Sequence, residues 1–234
     1  MHLPDGFLNN QISVGLIAVA TGFLISALIR LKKSLSEKIF VAKGRLVLAD
    51  GPTIESTLSQ RSVLTKRGQD KIQLMAVLGA LIFALQMINF PITNGTSGHL
   101  IGGVLAAVIL GPWAGLIVMS TVLVVQSIIF ADGGVLALGA NILNMGLVAS
   151  LGGYYLYLFL KSIKLPKFIA IAITAWLIVV IASFFCALEI GWSGTIDFAL
   201  VIPAMIKVHL LIGIGEAILT VVIIKALKLK LHED

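Results

Sequence analysis

The chain begins with Met1 and His2, and this pair offers three nitrogen atoms in a row to a metal ion. They are the terminal amine, the backbone nitrogen of His2 and Nδ1 of its imidazole. The amine and the amide close one chelate ring and the amide and Nδ1 close a second, so all three nitrogens can lie nearly in one plane. A fourth nitrogen completes a square, the geometry that suits Ni(II) or Cu(II). Because the ligands must lose protons, we expect binding to weaken at low pH.

Three other histidines could supply the fourth nitrogen: His99, His209 and His232. His99 ends a turn-rich stretch, NGTSGH, and is the natural choice. His209 lies a turn or two into the last apolar run and is held in reserve. His232 is in the basic C-terminal tail, which the charge pattern places on the other side of the membrane from the chain start.

Several polar residues lie close in sequence to these histidines or to another turn. Asn94, Thr96 and Ser97 precede His99 and could fix its ring through the nitrogen that does not bind metal, or they could only stabilise the turn. Asp132, in the stretch ADGG, could attract a divalent cation or cap that turn. Both interpretations stay open for each residue.

Glu216 is an ionisable residue within the last apolar run, which makes it a functional candidate by default. It follows His209 by seven residues, or about two helical turns, so the two are secondary candidates for the site. The structural alternative is that Glu216 pairs with Lys207, Asn144 or a partner subunit.

The composition indicates what must position these residues. Of 234 residues, 59% are apolar and 12% are charged, and the mean hydropathy is +1.07, whereas roughly a quarter of a soluble domain is charged. Backbone groups in lipid must pair internally, so the spans are helices or a closed barrel. The apolar runs are continuous rather than alternating, which predicts an all-α integral membrane protein.

The apolar runs predict a bundle of about seven transmembrane helices in one membrane domain, 1–234. The third run is short and is expected to re-enter the membrane. The expected spans are 12–29, 72–90, 99–110, 114–130, 140–160, 168–188 and 204–224.

The charge distribution orients the bundle. Ten of the seventeen Lys and Arg residues lie in 30–71, and the positive-inside rule puts that segment in the cytoplasm. The chain is then a multi-pass protein of the inner cell membrane with its N-terminus outside, near the loops 91–99, 131–134 and 189–203, and its C-terminus inside. This positive-inside bias explains the net charge of +6 without nucleic acid, and the expected surroundings of the spans are membrane lipid.

Common catalytic motifs are absent from the sequence. It has no GxxxxGK[ST], so it does not hydrolyse ATP through a P-loop, and it has no HExxH or GxSxG. The first apolar run is a poor secretory leader because no basic residue precedes it, so we expect the N-terminus to be retained.

The stretches MHLPDGFL, NFPITNGTSGHLIGG, GPW, DGGVLALGANILNMG and GIGEA together resemble the substrate-binding membrane subunit of cobalt/nickel energy-coupling-factor transporters. The resemblance covers residues 1–30 and about 70–225. It implies a seven-helix subunit whose N-terminus folds into the bundle from the outer side. It also implies that the ion is held by the amine of Met1, the nitrogens of His2 and the imidazole of His99.

The resemblance further implies partners: a transmembrane coupling subunit, two ATP-binding cassette ATPases and a small accessory membrane subunit. The chain would then be no enzyme, and Co(II) or Ni(II) would be its cargo, with the preference between the two undecided. The rival interpretations are a membrane-embedded metalloenzyme using the same histidines, and a scaffold or solute transporter that binds no metal.

One segment departs from the family pattern. The cytoplasmic loop 31–71 is longer than expected and holds a probable insertion at about 33–63. A solvated loop or a small helical excursion is one interpretation, and contact with a partner subunit is the other.

Overall fold

The computed structural model describes residues 2–43, 57–91 and 97–232. Its helices are α1 (Asn10–Leu35), α2 (Lys66–Gln86), α3 (Gly103–Leu110), α4 (Pro112–Ile129), α5 (Leu138–Asn141), a π-helical segment (Ile142–Gly152), α6 (Gly153–Ser162), α7 (Lys167–Trp192) and α8 (Phe198–Ala226). α5, the π-helical segment and α6 follow one another without a break. Two short antiparallel strand pairs complete the described part: β1 (Ser36–Lys43) with β2 (Thr57–Leu64), and β3 (Asn89–Pro91) with β4 (Ser97–His99).

The predicted all-α membrane bundle is confirmed. Within the described ranges, six helices are long and apolar enough to cross a membrane: α1, α2, α4, the continuous helix 138–162, α7 and α8. The seventh, α3, has eight residues, all of them buried, which agrees with the short third span predicted from the sequence. It is joined to α4 through Gly111, whose φ of +89° is a conformation that favours glycine.

α3 lies at the centre of the bundle because small residues let its neighbours approach closely. A Cβ on Gly103 would collide with Ala149 of the π-helical segment, and a Cβ on Gly115 of α4 would lie 3.0 Å from Cα of Ala107. Small residues at such contacts are the usual means by which membrane helices pack, since lipid offers no hydrophobic drive for association. The turn that precedes α3 therefore lies on a closely packed centre of the bundle.

The loop predicted over 189–203 is wrong, because both flanking helices are longer. α7 continues to Trp192 and α8 begins at Phe198, so only the turn 193–197 remains. Glu189 does not end the helix because its carboxylate accepts a hydrogen bond from Nδ2 of Asn144 at 2.7 Å inside the bundle. A paired carboxyl group can remain within a membrane helix.

α8 begins earlier than predicted because its first residue is preceded by a capping side chain. The side chain of Asp197 accepts a hydrogen bond from the backbone N–H of Ala199 at 2.7 Å, which caps the helix. Pro203 then lies inside α8 rather than at its boundary. Membrane helices tolerate proline because neighbouring groups satisfy the freed carbonyl.

The long segment after the first span contains a β-hairpin that joins the end of α1 to the start of α2. β1 and β2 pair with Ser36 opposite Leu64, and the N–H of Thr65 donates to the carbonyl of Leu35 at 3.1 Å. Thr65 also caps α2, accepting from the N–H of Gly68 at 3.0 Å. Residues 44–56 lie outside the described ranges, and the role of 33–63 stays a prediction.

Candidate metal site

The segment after His2 is folded into the bundle. Asn141, the last residue of α5, holds the backbone of Leu3 by two hydrogen bonds: its Oδ1 accepts from Leu3 N–H at 2.9 Å and its Nδ2 donates to Leu3 O at 3.2 Å. The same carbonyl accepts from the N–H of Gly134 at 2.8 Å. The Leu3 side chain is fully buried. These contacts fix the residue next to His2, and with it the path of the chain start.

The loop between α4 and α5 packs against the N-terminal segment. The carboxylate of Asp5 accepts hydrogen bonds from two backbone N–H groups of that loop, at 2.8 and 3.3 Å. A Cβ on Gly134 would collide with Asp5, and a Cβ on Gly133, whose φ is +95°, would lie 3.5 Å from Cβ of His2. Gly134 therefore leaves space that the N-terminal segment occupies, and position 133 favours glycine because of its positive φ.

The segment is also tied to the turn between α7 and α8. The hydroxyl of Thr195 donates to the carbonyl of Phe7 at 2.7 Å, and the N–H of Asn9 donates to Oγ of Ser193 at 3.3 Å. Asn9 then caps α1, because its Oδ1 accepts from the N–H of Ile12 at 2.9 Å. Residues 3–9 thus form a strap with anchors on three parts of the bundle.

His2 is buried at the head of this strap, with 3% of its surface exposed. Its Nδ1 lies 3.0 Å from Oδ1 of Asp132, and its Nε2 has no hydrogen-bond partner among the described residues. Burial lowers the pKa of His2, although contact with Asp132 opposes that shift. The same contact lowers the pKa of Asp132. At neutral pH the imidazole is therefore neutral, the form that binds metal, and the carboxylate beside it is ionised.

His99 is fully buried at the end of β4. Its Nδ1 lies 2.8 Å from the carbonyl oxygen of Leu100, and a carbonyl can only accept, so Nδ1 carries the proton and Nε2 carries the lone pair. Burial lowers the pKa of His99 well below its ordinary value. The ring is thus held in the neutral tautomer that can bind a metal ion through Nε2.

The imidazoles of His2 and His99 face one another, with ring centroids 4.2 Å apart and planes inclined by 55°. A metal–nitrogen distance of roughly 2.0 Å plus a ring radius of roughly 1.1 Å would put two adjacent ligand rings of a square about 4.4 Å apart. The observed spacing is close to that value, although Nδ1 of His2 is directed at Asp132 in this arrangement. Sequence reasoning chose His99 over His209 for this place, and the structure brings His99 and His2 together.

Glu216 positions the turn that carries His99. Its two carboxylate oxygens accept hydrogen bonds from the backbone N–H groups of Ile101 and Gly102, at 2.8 and 2.7 Å. These N–H groups precede α3 and would otherwise lack partners at the helix start. The sequence suggested Lys207 or Asn144 as the partner of Glu216. In the structure its carboxylate instead accepts from backbone N–H groups.

Four of the candidate residues are not tested by the structure. Met1, Asn94 and Thr96 lie outside the described residues, and only the backbone of Ser97 is described, within β4. Their proposed roles stay predictions.

His209 is fully buried on α8, and its Nδ1 lies 2.7 Å from the carbonyl of Met205. Across the described ranges, no group of three or more His, Cys, Asp or Glu side chains is arranged to hold a metal ion. His209 therefore does not complete a side-chain cluster with His2 and His99. An ion at this place would need main-chain nitrogens as well, which is what the chain start was predicted to supply.

Asn141 is not among the residues that the sequence predicts for the site. In the structure it holds the strap through two hydrogen bonds to the backbone of Leu3. Its place in the stretch DGGVLALGAN, next to the loop that carries Asp132, is the only sequence signal that could have suggested this.

Comparison with known proteins places the chain in a family. The family described as CbiM, cobalt uptake substrate-specific transmembrane region, matches residues 53–233. A protein of Archaeoglobus fulgidus described as a fused nickel transport protein is 40% identical over 161 residues, which are 68% of this chain and 54% of that protein. This chain thus spans about half the length of that fused relative.

In two further comparisons the match covers a larger share of the compared protein. A protein of Methanocaldococcus jannaschii described as a metal transport protein is 36% identical over 170 residues, 69% of this chain and 76% of the relative. A further match is the crystal structure of a truncated transition metal transporter, whose sequence is 30% identical to this chain. The two structures superimpose with a TM-score of 0.79 over 97% of this chain and 98% of that one.

Proposed function

The chain belongs to the CbiM family of cobalt uptake substrate-specific transmembrane regions, and from that membership we propose that it captures a divalent transition-metal ion, Co(II) or Ni(II), for uptake across the cell membrane. The observation that carries the proposal is the pair of buried, neutral imidazoles of His2 and His99, 4.2 Å apart. His2 lies at the head of the strap, whose hydrogen bonds fix the residue next to it, and His99 precedes the turn that Glu216 holds.

The proposed ligands are the amine of Met1, the backbone nitrogen and Nδ1 of His2, and Nε2 of His99. In the metal-free chain Nδ1 of His2 lies 3.0 Å from the ionised Asp132 and therefore carries the ring proton. Binding through Nδ1 requires the ring to turn to the ion and to change tautomer, with the proton on Nε2. The carboxylate is then left beside the site, where it offsets part of the positive charge. Nitrogen ligands suit Co(II) and Ni(II), and geometry rather than affinity alone separates such ions. Ions are the cargo here and not a resident cofactor.

Uptake against a gradient requires energy, and the sequence has no P-loop with which to hydrolyse ATP. We propose that two ATP-binding cassette ATPases, a transmembrane coupling subunit and a small accessory membrane subunit complete the transporter. In this arrangement the strap and the 193–197 turn lie outside, and the hairpin β1–β2 lies in the cytoplasm.

A transport role is preferred over the metalloenzyme because relatives carry the names of transport proteins. A square of four nitrogens would also leave little room for a substrate at the ion. The scaffold that binds no metal offers no reason to bury two neutral imidazoles in contact.

The test is metal binding by the purified chain in detergent. Co(II) and Ni(II) bound per chain are measured by mass spectrometry for the wild type and for His2→Ala and His99→Ala. We expect about one ion per wild-type chain and a loss of roughly 100-fold or more in affinity for each variant, since each removes a direct ligand. Thr174→Val is the matched control, because Thr174 is fully buried on α7, away from the site. Equal binding by all four proteins would refute the proposal.

A further inference from the structure

A small cavity with basic side chains in its lining lies where the starts of α2 and α4 meet the end of α1. Its volume is about 130 Å³, and its lining includes the side chains of Arg30, Ser34, Lys71 and His232. The guanidinium carbon of Arg30 lies 4.6 Å from the centre of the Trp113 ring, a cation–π contact that holds it at the cavity. Among the described residues, no carboxylate lines the cavity or forms an ion pair with Arg30 or Lys71. The cavity therefore has the charge of an anion-binding site.

The C-terminal tail forms one wall of this cavity. The N–H of His232 donates to the carbonyl of Val108, near the end of α3, at 2.7 Å. A Cβ on Gly111 would lie 2.7 Å from Cδ2 of the His232 imidazole, so the missing side chain at position 111 lets the ring approach. His232 is thus held in the lining by the backbone of the bundle.

An apolar groove between α2 and α4 begins beside the cavity and has a volume of about 560 Å³. On α2 its lining residues recur at intervals of three and four, which makes them one stripe of the helix: Ile72, Met75, Ala76, Gly79, Ala80 and Phe83. Lys71 of the cavity directly precedes Ile72 of the groove. On α4, Trp113 of the cavity lies one turn before Ile117 of the groove. The cationic cavity and the apolar groove are therefore adjacent on both helices.

The groove has the depth of one membrane leaflet. Ile72 and Phe83 are eleven residues apart, which is about 17 Å along a helix, and half of the hydrocarbon core of a bilayer is about 15 Å. At the end far from the cavity, the rings of Phe83 and Phe130 meet with their centroids 5.0 Å apart. A partner helix would cross the whole core, whereas an acyl chain ends within one leaflet.

We infer that the cavity and the groove together bind an anionic phospholipid, whose phosphate lies among Arg30, Lys71 and His232 and whose acyl chain follows the groove between α2 and α4. Arginine suits phosphate because its guanidinium can donate two parallel hydrogen bonds. In the orientation proposed above, the cavity lies at the cytoplasmic side, where basic cavities between membrane helices bind anionic head groups. The inference concerns lipid and stands independently of the proposed metal site.

The experiment measures binding of phosphatidylglycerol, phosphatidylcholine and glycerol 3-phosphate to the purified, delipidated full chain by native mass spectrometry. We expect the wild type to prefer phosphatidylglycerol, and the double variant Arg30→Gln, Lys71→Gln to bind it roughly 25-fold more weakly, since each basic residue near a membrane surface contributes about fivefold. Binding of phosphatidylcholine should not change. Glycerol 3-phosphate, which carries the phosphate without acyl chains, should bind far more weakly than phosphatidylglycerol.

The matched control is the double variant Lys33→Gln, Arg67→Gln, which removes the same charge from exposed positions of α1 and α2 outside the cavity. Ala76→Phe fills the groove and should weaken phosphatidylglycerol binding without affecting glycerol 3-phosphate. Melting temperatures in detergent alone check that the variants are folded, and the comparison of lipids in the wild type needs no variant.

Equal binding of phosphatidylglycerol and phosphatidylcholine by the wild type would overturn the inference, as would equal losses in the two double variants. Binding of glycerol 3-phosphate as tight as that of phosphatidylglycerol, with no effect of Ala76→Phe, would also overturn it, because the site would then be one for free phosphate. Each of these results leaves the proposed function standing.

Discussion

At the scale of single residues, the burial of His2 and His99 has a consequence for pH dependence. Their pKa values lie below the ordinary 6.5, so the unfolded chain binds more protons than the native one as pH falls through that value. Stability supplied by the neutral rings is present above about pH 6.5 and is lost below it. We expect the melting temperature of the metal-free protein to fall between pH 7.5 and 5.5.

The variant His99→Gln isolates the contribution of that ring, because glutamine does not titrate. Its melting temperature should change less over the same pH interval than that of the wild type, as measured by fluorescence in detergent. Identical pH profiles would show that His99 does not supply the pH dependence.

A second prediction at the scale of residues concerns the two hydrogen bonds of Asn141 to Leu3. Removing its amide in Asn141→Ala leaves the N–H of Leu3 without its partner, which costs roughly 1–3 kcal/mol when the group stays buried. We expect faster hydrogen exchange in residues 3–9 and weaker binding of Co(II). Ser150→Ala is the control, since Ser150 is fully buried in the same continuous helix and its hydroxyl has no partner among the described residues. Exchange that is equally slow in both variants would argue against the strap as described.

At the scale of elements, α8 holds the turn before α3 through Glu216. Glu216→Ala leaves two buried N–H groups without acceptors, at a cost of roughly 1–3 kcal/mol each. We expect a lower melting temperature and loss of metal affinity, because His99 is no longer fixed. Thr220→Val, one turn further along the same helix face, changes a buried polar residue without touching that turn and should retain both properties.

Gly134→Ala tests whether the close contact between the α4–α5 loop and the strap is needed for metal binding. The added methyl group would collide with Asp5, so the N-terminal segment must move away and metal binding should fall. Gly15→Ala, at a position with open space in α1, should bind as the wild type does. Normal binding by Gly134→Ala would mean that the strap does not position the ligands.

The elements also differ in how far the sequence could predict them. Hydropathy was enough for the long helices and for the short, central α3, because lipid forces each apolar run into a helix. The boundary at 189–203 was missed because Glu189 and Pro203 look like helix ends until their partners inside the bundle are known. The π-helical segment 142–152 and the hold of Asn141 on Leu3 depend on contacts distant in sequence, so no local pattern could indicate them.

At the scale of the whole molecule, the bundle has a predicted orientation that places the metal site near the outer side. Val135 in the loop between α4 and α5 and Leu227 after α8 are 52% and 57% exposed, so each can be replaced by cysteine without opening the core. In intact cells an impermeant maleimide should label Val135→Cys and leave Leu227→Cys unlabelled until the membrane is opened. The native Cys186 is fully buried and serves as the internal blank. The reverse labelling pattern would invert the orientation.

In the proposed function, the chain start itself binds the ion together with His2 and His99. The most direct test is to count Co(II) and Ni(II) bound to purified protein that begins at Met1, beside the same protein carrying one alanine before Met1. We expect about one ion per chain for the first and a loss of high-affinity binding for the second, because the extension removes the amine from the chelate ring. Equal binding by both proteins would contradict it.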